Sequence, residues 1–503
     1  MARALPSAIA ILFLAAPLHT ALLSQGSSVV QAGRPSEASM AMLPMTSSSA
    51  AARMHAMLGQ RALETNHLPQ AAQHFAQAIA ADSTLAFAWL GAANASTSFA
   101  DYDGRLRTAS RLAEHASRAE QLLIAIARKS LANDMAGAEA VARELVAAEP
   151  KSPRAYLELA GAQQRMGREV QARRTMERAI DVAPNFSPAH RQLAFSYMQS
   201  QPTDPVRARQ YVEKLVALEP TEAQTYITQG SYFRATNQLP RARAAYSRAA
   251  ELDPTMALAV QQRGHVASFM GDYDAARADY DAAIKLAKQN EAASFGVFRA
   301  LVAVHAGNAK QAIAELDRLV AEIDGMKLSD PRGAKIGALD AEIQVATQIG
   351  DFTTASRAIA QRAPLAREDV AGASDENVKR VAASVTLYYE GLVAARQGDS
   401  VTANAKADEL RKVLAATNDP QKNQGVHAIL GVLALEQKHF PEAASHLAQA
   451  NPNDVYLMYE RALALDGAGK TSEAKALFTK VSQFNFNSPD VAFAHREAAK
   501  RVR

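Results

Sequence analysis

The chain has 503 residues, 48% of them hydrophobic and 6% aromatic, with 55 Lys and Arg against 51 Asp and Glu and no cysteine. This apolar content excludes a disordered chain. The missing cysteine excludes disulfides, thiolate metal sites and cysteine nucleophiles. Balanced, dispersed charge argues against a nucleic-acid face, which would concentrate Lys and Arg.

Residues 1–23 read as a signal peptide, with residue 32 as the alternative end: Arg3 precedes an apolar run from Ala8 to Leu18. An uncleaved anchor is the other reading, and Pro6, Pro17 and His19 argue against it. The expected location is therefore the periplasm, the cell envelope or the medium, with no transmembrane span once the signal is removed. Residues 24–51 are rich in Ser, Ala and Met without periodicity and are expected to form a disordered linker.

From residue 52 a spacing recurs. A small residue is followed twelve on by Ala, four on by a bulky apolar or aromatic residue, three on by Ala and five on by Pro. Gly230, Ala242, Tyr246, Ala249 and Pro254 show it in full. Ala160, Ala172, Met176, Ala179 and Pro184 repeat it one cycle earlier, and Gly264, Ala276, Tyr280 and Ala283 one cycle later. A return at roughly 34 residues means stacked helix pairs. The fold class is all-α, a superhelical solenoid of about a dozen antiparallel pairs. Residues 52–329 form the regular part. Within it, a single long helix over 106–129 is predicted from Leu112, Ala116, Ala119, Leu123 and Ile126. Residues 330–503 form a degenerate array, with polar connections near 330–333, 364–376 and 417–423 and a terminal capping helix from Pro489. Small residues at the first and second positions let two helices cross closely. The aromatic is expected between consecutive units. Gly167, Gly271 and Gly307 should end first helices in the left-handed conformation.

This pattern resembles the tetratricopeptide repeat, most closely over 223–254 and from Gly264 onward. Residues 85–146 are also similar to the arrays that bacteria fuse to sensor kinases and transcription regulators. No kinase or DNA-binding segment accompanies them here, so a signalling output is not implied. The resemblance implies that first helices line a concave groove for an extended peptide or partner helix. Carried onto the regular repeats, the groove positions include Arg154, Gln164, Arg191, Gln192, Phe195, Ser231, Arg234, Gln261, Gln262 and His265. The family's paired Lys and Asn for binding a terminal carboxylate are missing from adjacent repeats.

Motifs for chemistry are absent from the sequence: no phosphate-binding glycine loop, serine elbow, HExxH or EF-hand loop occurs. His439, Glu442 and His446, and His67 with His74, read as surface histidines rather than metal ligands. Asp272 and Asp274 read as helix-start residues. No catalytic residue, cofactor or metal is therefore expected. The expected function is a non-enzymatic interaction scaffold with an unidentified protein or peptide partner. The alternative is a structural or accessory subunit of an envelope or secretion assembly that self-associates through its repeats.

Overall fold

The computed structural model describes residues 43–287, 290–373 and 375–502. The signal-peptide reading falls on residues outside that set. Among the described residues the regular structure is helical throughout. Twelve antiparallel pairs follow in order. The first six are α1 (Ala50–Glu64) with α2 (Leu68–Ala81), α3 (Ala86–Asn94) with α4 (Phe99–Leu112), α5 (Arg118–Leu131) with α6 (Met135–Ala148), α7 (Pro153–Arg165) with α8 (Glu169–Val182), α9 (Ser187–Gln199) with α10 (Pro205–Leu218), and α11 (Ala223–Ala235) with α12 (Leu239–Leu252). The rest are α13 (Ala257–Met270) with α14 (Tyr273–Leu286), α15 (Glu291–His305) with α16 (Ala309–Glu322), α17 (Pro331–Gln348) with α18 (Phe352–Asp369), α19 (Glu376–Arg396) with α20 (Ser400–Leu414), α21 (Gln424–Glu436) with α22 (Phe440–Gln449), and α23 (Val455–Gly467) with α24 (Thr471–Ser482). A last helix, α25, spans Pro489–Arg501.

The turn inside each regular pair needs one residue with positive φ. Gly167, Gly271 and Gly307 supply it as expected, and Asn66, Asn133 and Asn237 do so in other pairs. Where the helices cross, the small residue lies under the aromatic. A Cβ on Gly230 would sit 2.5 Å from Tyr246 Cε1, and one on Gly264 would sit 3.2 Å from Tyr280 Cε1. The aromatic therefore packs first on the glycine of its own unit, which amends the expectation that it fills the space between units. Phe75 does both: it presses on Gly59 of its own pair and Gly91 of the next.

Four expectations need correction. The helix predicted over 106–129 is broken. α4 ends at Leu112, a single 3-10 turn covers Ala113–His115, and Ser117 starts α5 with a capping box to Glu120. Glu120 is buried, and its carboxylate also accepts from the backbone N–H of Thr46 (2.7 Å) and Phe87 (3.1 Å). Second, the end of the expected linker is ordered. Leu43 is buried in the core, Ser47 Oγ donates to Asp82 (2.5 Å), and Ser49 caps α1. Third, Pro364 lies within α18 rather than in a connection.

The fourth correction concerns α25. It is more than an end cap of the array. It packs on α23 and α24 and also on α15 and α17. Ala492 joins the apolar cluster of Leu301, Ile343 and Tyr389, so α25 fills the interior of the superhelix. Other contacts also span distant repeats. Phe99 of α4 clusters with Ile336 of α17 and Val370 beyond α18. Asn133 faces Asp419 (3.5 Å), and Gln201 meets both Asn453 (3.3 Å) and Lys480. The superhelix thus closes on itself, and its core continues across those seams.

Candidate interaction groove

The first helices of the middle pairs line the inner face. α7 carries Arg154 and Gln164, and α9 carries Arg191, Gln192 and Phe195. α11 carries Ser231 and Arg234, and α13 carries Gln261, Gln262 and His265. All ten predicted positions lie on the first helices of their pairs. Gln192 and Phe195 are half-buried and the other eight are buried. The open polar groove expected from the sequence is filled by the chain's own distant segments.

At one end the filler is the first helix pair. Arg154 pairs with Glu64, while Arg191 Nη2 pairs with Glu219 (2.8 Å) and its Nη1 donates to the Glu64 carbonyl (3.2 Å). Arg61 binds Glu219 (2.7 Å) and Glu222 (3.3 Å), and His67 meets Asp253 (3.1 Å). The two arginines beside it hold the Glu219 carboxyl below its ordinary range, although burial pushes the other way. Hydrogen bonds from His67 and Thr255 likewise take Asp253 to about 2 against the cost of burial.

At the other end the filler is a non-helical strap, residues 484–488, between α24 and α25. It crosses α11, α13 and α15 near their C-terminal ends. Asn485 Nδ2 donates to the Arg234 carbonyl (3.3 Å) and to Asn237 Oδ1 (3.1 Å). The Phe486 ring lies 4.5 Å from the Arg234 guanidinium carbon, a cation–π contact. The Asn487 amide donates to Tyr280 Oη (3.3 Å), and its oxygen accepts from His305 Nε2 (3.0 Å). His265 Nδ1 is 2.6 Å from that same Tyr280 Oη.

Arg234 is 1% exposed and, among the described residues, forms no ion pair, and its Nε and Nη1 have no hydrogen-bond partner. Burial lowers its pKa, as expected of a guanidinium held against rings instead of an anion. Burial also holds His305 neutral, with a pKa taken down to about 4, and puts His265 well below its ordinary value. Beside the strap a cavity of about 330 Å³ opens between α13, α15 and α25, lined in part by Phe269, Tyr273, His305, His495 and Arg496.

The strap could not be located from sequence, because its five residues carry no repeat signal. Phe195, the aromatic among the expected groove positions, packs beside the cluster around Leu193 and Tyr197. Elsewhere, His74 faces His55 and His446 faces His427, partners that neither expected pairing included. Asp272 caps α14 as expected. No three His, Asp or Glu side chains converge as a metal site among the described residues, and no helix there is long and apolar enough to cross a membrane.

Residues 131–194 and 257–290 match tetratricopeptide-repeat family models. No curated protein matches the chain. Among solved structures, yeast Tom70 is similar over 84% of this chain and 96% of its own, with 14% identity and a TM-score of 0.42. A thermophilic TPR protein of Thermus thermophilus is similar over 37% of this chain and 99% of its own, with 23% identity and a TM-score of 0.30. PilW, a widely conserved type IV pilus biogenesis factor, is similar over 40% and 92%, with 17% identity and a TM-score of 0.33.

Proposed function

We propose that this chain, whose residues 131–194 and 257–290 match tetratricopeptide-repeat models, is a scaffold for protein–protein interaction whose inner face holds a segment of a protein partner. The place is the stretch of α11, α13 and α15 that the strap crosses. One observation carries this reading: residues 484–488 already lie there as a non-helical segment, held by an aromatic anchor and by side-chain amides. Helix carbonyl ends, Asn237, Tyr280 and His305 supply donors and acceptors to whatever occupies the place. A partner segment with an aromatic flanked by amides would replace the strap like for like. On this reading the protein is non-enzymatic.

A photo-reactive phenylalanine analogue at Phe298, whose ring centroid is 4.5 Å from that of His265, tests this. In the isolated protein it should crosslink to the chain's own strap. In extracts containing the partner it should crosslink to a partner segment at the strap's expense. An unchanged self-crosslink, with partners captured only by a probe on the outer surface at Val401, would remove the inner face from the mechanism. The alternative, self-association, predicts that the captured segment is the strap of a second copy.

The cellular site belongs to the same proposal: the periplasm or envelope, reached by cleavage after residues 1–23. N-terminal sequencing of the protein from envelope fractions should begin beyond residue 21. Intact Met1 in a cytoplasmic pool would contradict it.

A further inference from the structure

The cavity of about 330 Å³ beside the strap has a wall whose chemistry neither the helix packing nor the strap uses up. Its size is at the lower end of small-molecule pockets. Aromatic side chains form much of the wall. The Phe269 ring stands between the imidazoles of His305 and His495, with centroids 4.9 Å and 5.0 Å away and both contacts edge-on. Tyr273 adjoins them, its hydroxyl donating to the His305 carbonyl (2.9 Å). Burial takes both imidazoles down to about 4, so they are neutral at pH 7.

Acceptors gather on the side of α13 and α15. His305 is 7% exposed, and its Nε2 donates to Asn487 Oδ1 (3.0 Å). The neutral ring therefore keeps Nδ1 as an acceptor. Among the described residues nothing donates to that nitrogen. Phe269 and Met270 end α13, where helix carbonyls lack N–H partners from their own helix. Cations gather on the side of α25. The Arg496 guanidinium lies against Gly307, where a Cβ would be 2.4 Å from its Nη1. That puts it beside the turn that directly follows His305. Among the described residues Arg496 forms neither an ion pair nor a hydrogen bond. Lys500, one turn further along α25, donates to Glu497 (2.6 Å). No Asp or Glu is among the lining residues.

A complementary ligand carries N–H donors and an anion close together, and a ring. An anion alone would meet the negative end of α13, and a cation alone would meet Arg496. A zwitterion answers both. We propose that the cavity binds a free aromatic α-amino acid, with its ammonium on His305 Nδ1 and the carbonyl end of α13, its carboxylate on Arg496 and Lys500, and its ring against Phe269 and Tyr273. Only the closed chain holds it, because α25 brings the cations to α13 and α15. The site needs no protein partner, so it stands or falls apart from the reading of the inner face.

The test is calorimetric titration of full-length protein with L-phenylalanine. It should bind one to one and raise the melting temperature. Phenethylamine, which lacks the carboxylate, and hydrocinnamate, which lacks the ammonium, should each bind roughly tenfold more weakly or worse. Arg496→Gln changes an exposed side chain and should cause the same loss. Ala499→Trp should fill the cavity and abolish binding. The comparison of the three compounds uses the parent protein, so it holds whatever either substitution does to stability. Absence of phenylalanine binding, or binding that survives in both variants, overturns the proposal. Equal affinity for phenylalanine and hydrocinnamate overturns it as well.

Discussion

Where two helices of a repeat cross, a single methyl group decides the fit. Tyr246 and Tyr280 are fully buried, and the Tyr246 hydroxyl is 3.1 Å from Ser231 Oγ, so neither ring has room to retreat. Gly230→Ala puts a carbon 2.5 Å from the Tyr246 ring and should cost roughly 1–3 kcal/mol. Gly264→Ala, with 3.2 Å available, should cost less. Urea unfolding of the two variants checks the order, and equal losses would contradict this packing. The spacing of glycine, alanine and aromatic made these crossings readable from sequence. It could not say that Phe75 serves two units, because a one-dimensional spacing does not record which neighbour a ring leans on.

Charge at a single residue gives a pH dependence. Asp369 is buried at the end of α18, and burial together with Asp330 raises its pKa to about 7, with Arg332 offsetting only part. The unfolded carboxyl loses its proton near its ordinary 3.8. Between the two values the folded chain holds a proton that the unfolded chain has lost, so stability falls as pH rises through that window. Asp369→Asn should therefore be the more stable protein above pH 7, by an amount on the order of a few kcal/mol at about 1.4 kcal/mol per pH unit. It should match the parent near pH 3. A melting comparison at both pH values reads this directly.

At the scale of the element, boundaries were the part least legible in sequence. Apolar spacing runs unbroken from Leu106 to Lys129, yet the Ser117–Glu120 capping box splits it. That start signal was present in the sequence and competed with a continuous apolar stripe. The cap prevails because Glu120 also satisfies two N–H groups from other segments, one of them before α1. Ser117→Ala should cost about 1 kcal/mol and loosen α5 at its start, measurable by hydrogen exchange. For α25, the expectation of a capping helix did not say what its apolar side faces, and Val491, Ala492, Ala494 and Ala498 are buried. Small residues give a weak stripe, and only the closed superhelix shows what they face. Ala494→Glu should raise exchange in α24 and α25 while sparing α7 and α8. Acid should open the strap beside it. His305, held neutral down to about 4, takes up a proton near its ordinary 6.5 once released, so stability of the closed form falls as pH drops from 6.5 toward 4.

At the scale of the molecule, the repeat count and class were legible because they follow from local spacing. Closure was not. It depends on small rotations added over many repeats, which bring Arg61 to Glu219 and Asn485 to Arg234 without a trace in either local sequence. Closure is also what turns a supposedly open groove into an occupied one. The most direct measurement uses the absence of cysteine from the chain. Asn237→Cys with Asn485→Cys introduces a unique pair where the two side chains are 3.1 Å apart, and a short reducible linker can then lock the strap in place. The locked protein should lose partner capture at the Phe298 probe, and reduction should restore it, with each single-cysteine variant behaving as the parent. Capture by the locked protein equal to that of the reduced one would contradict the claim that strap and partner share one site.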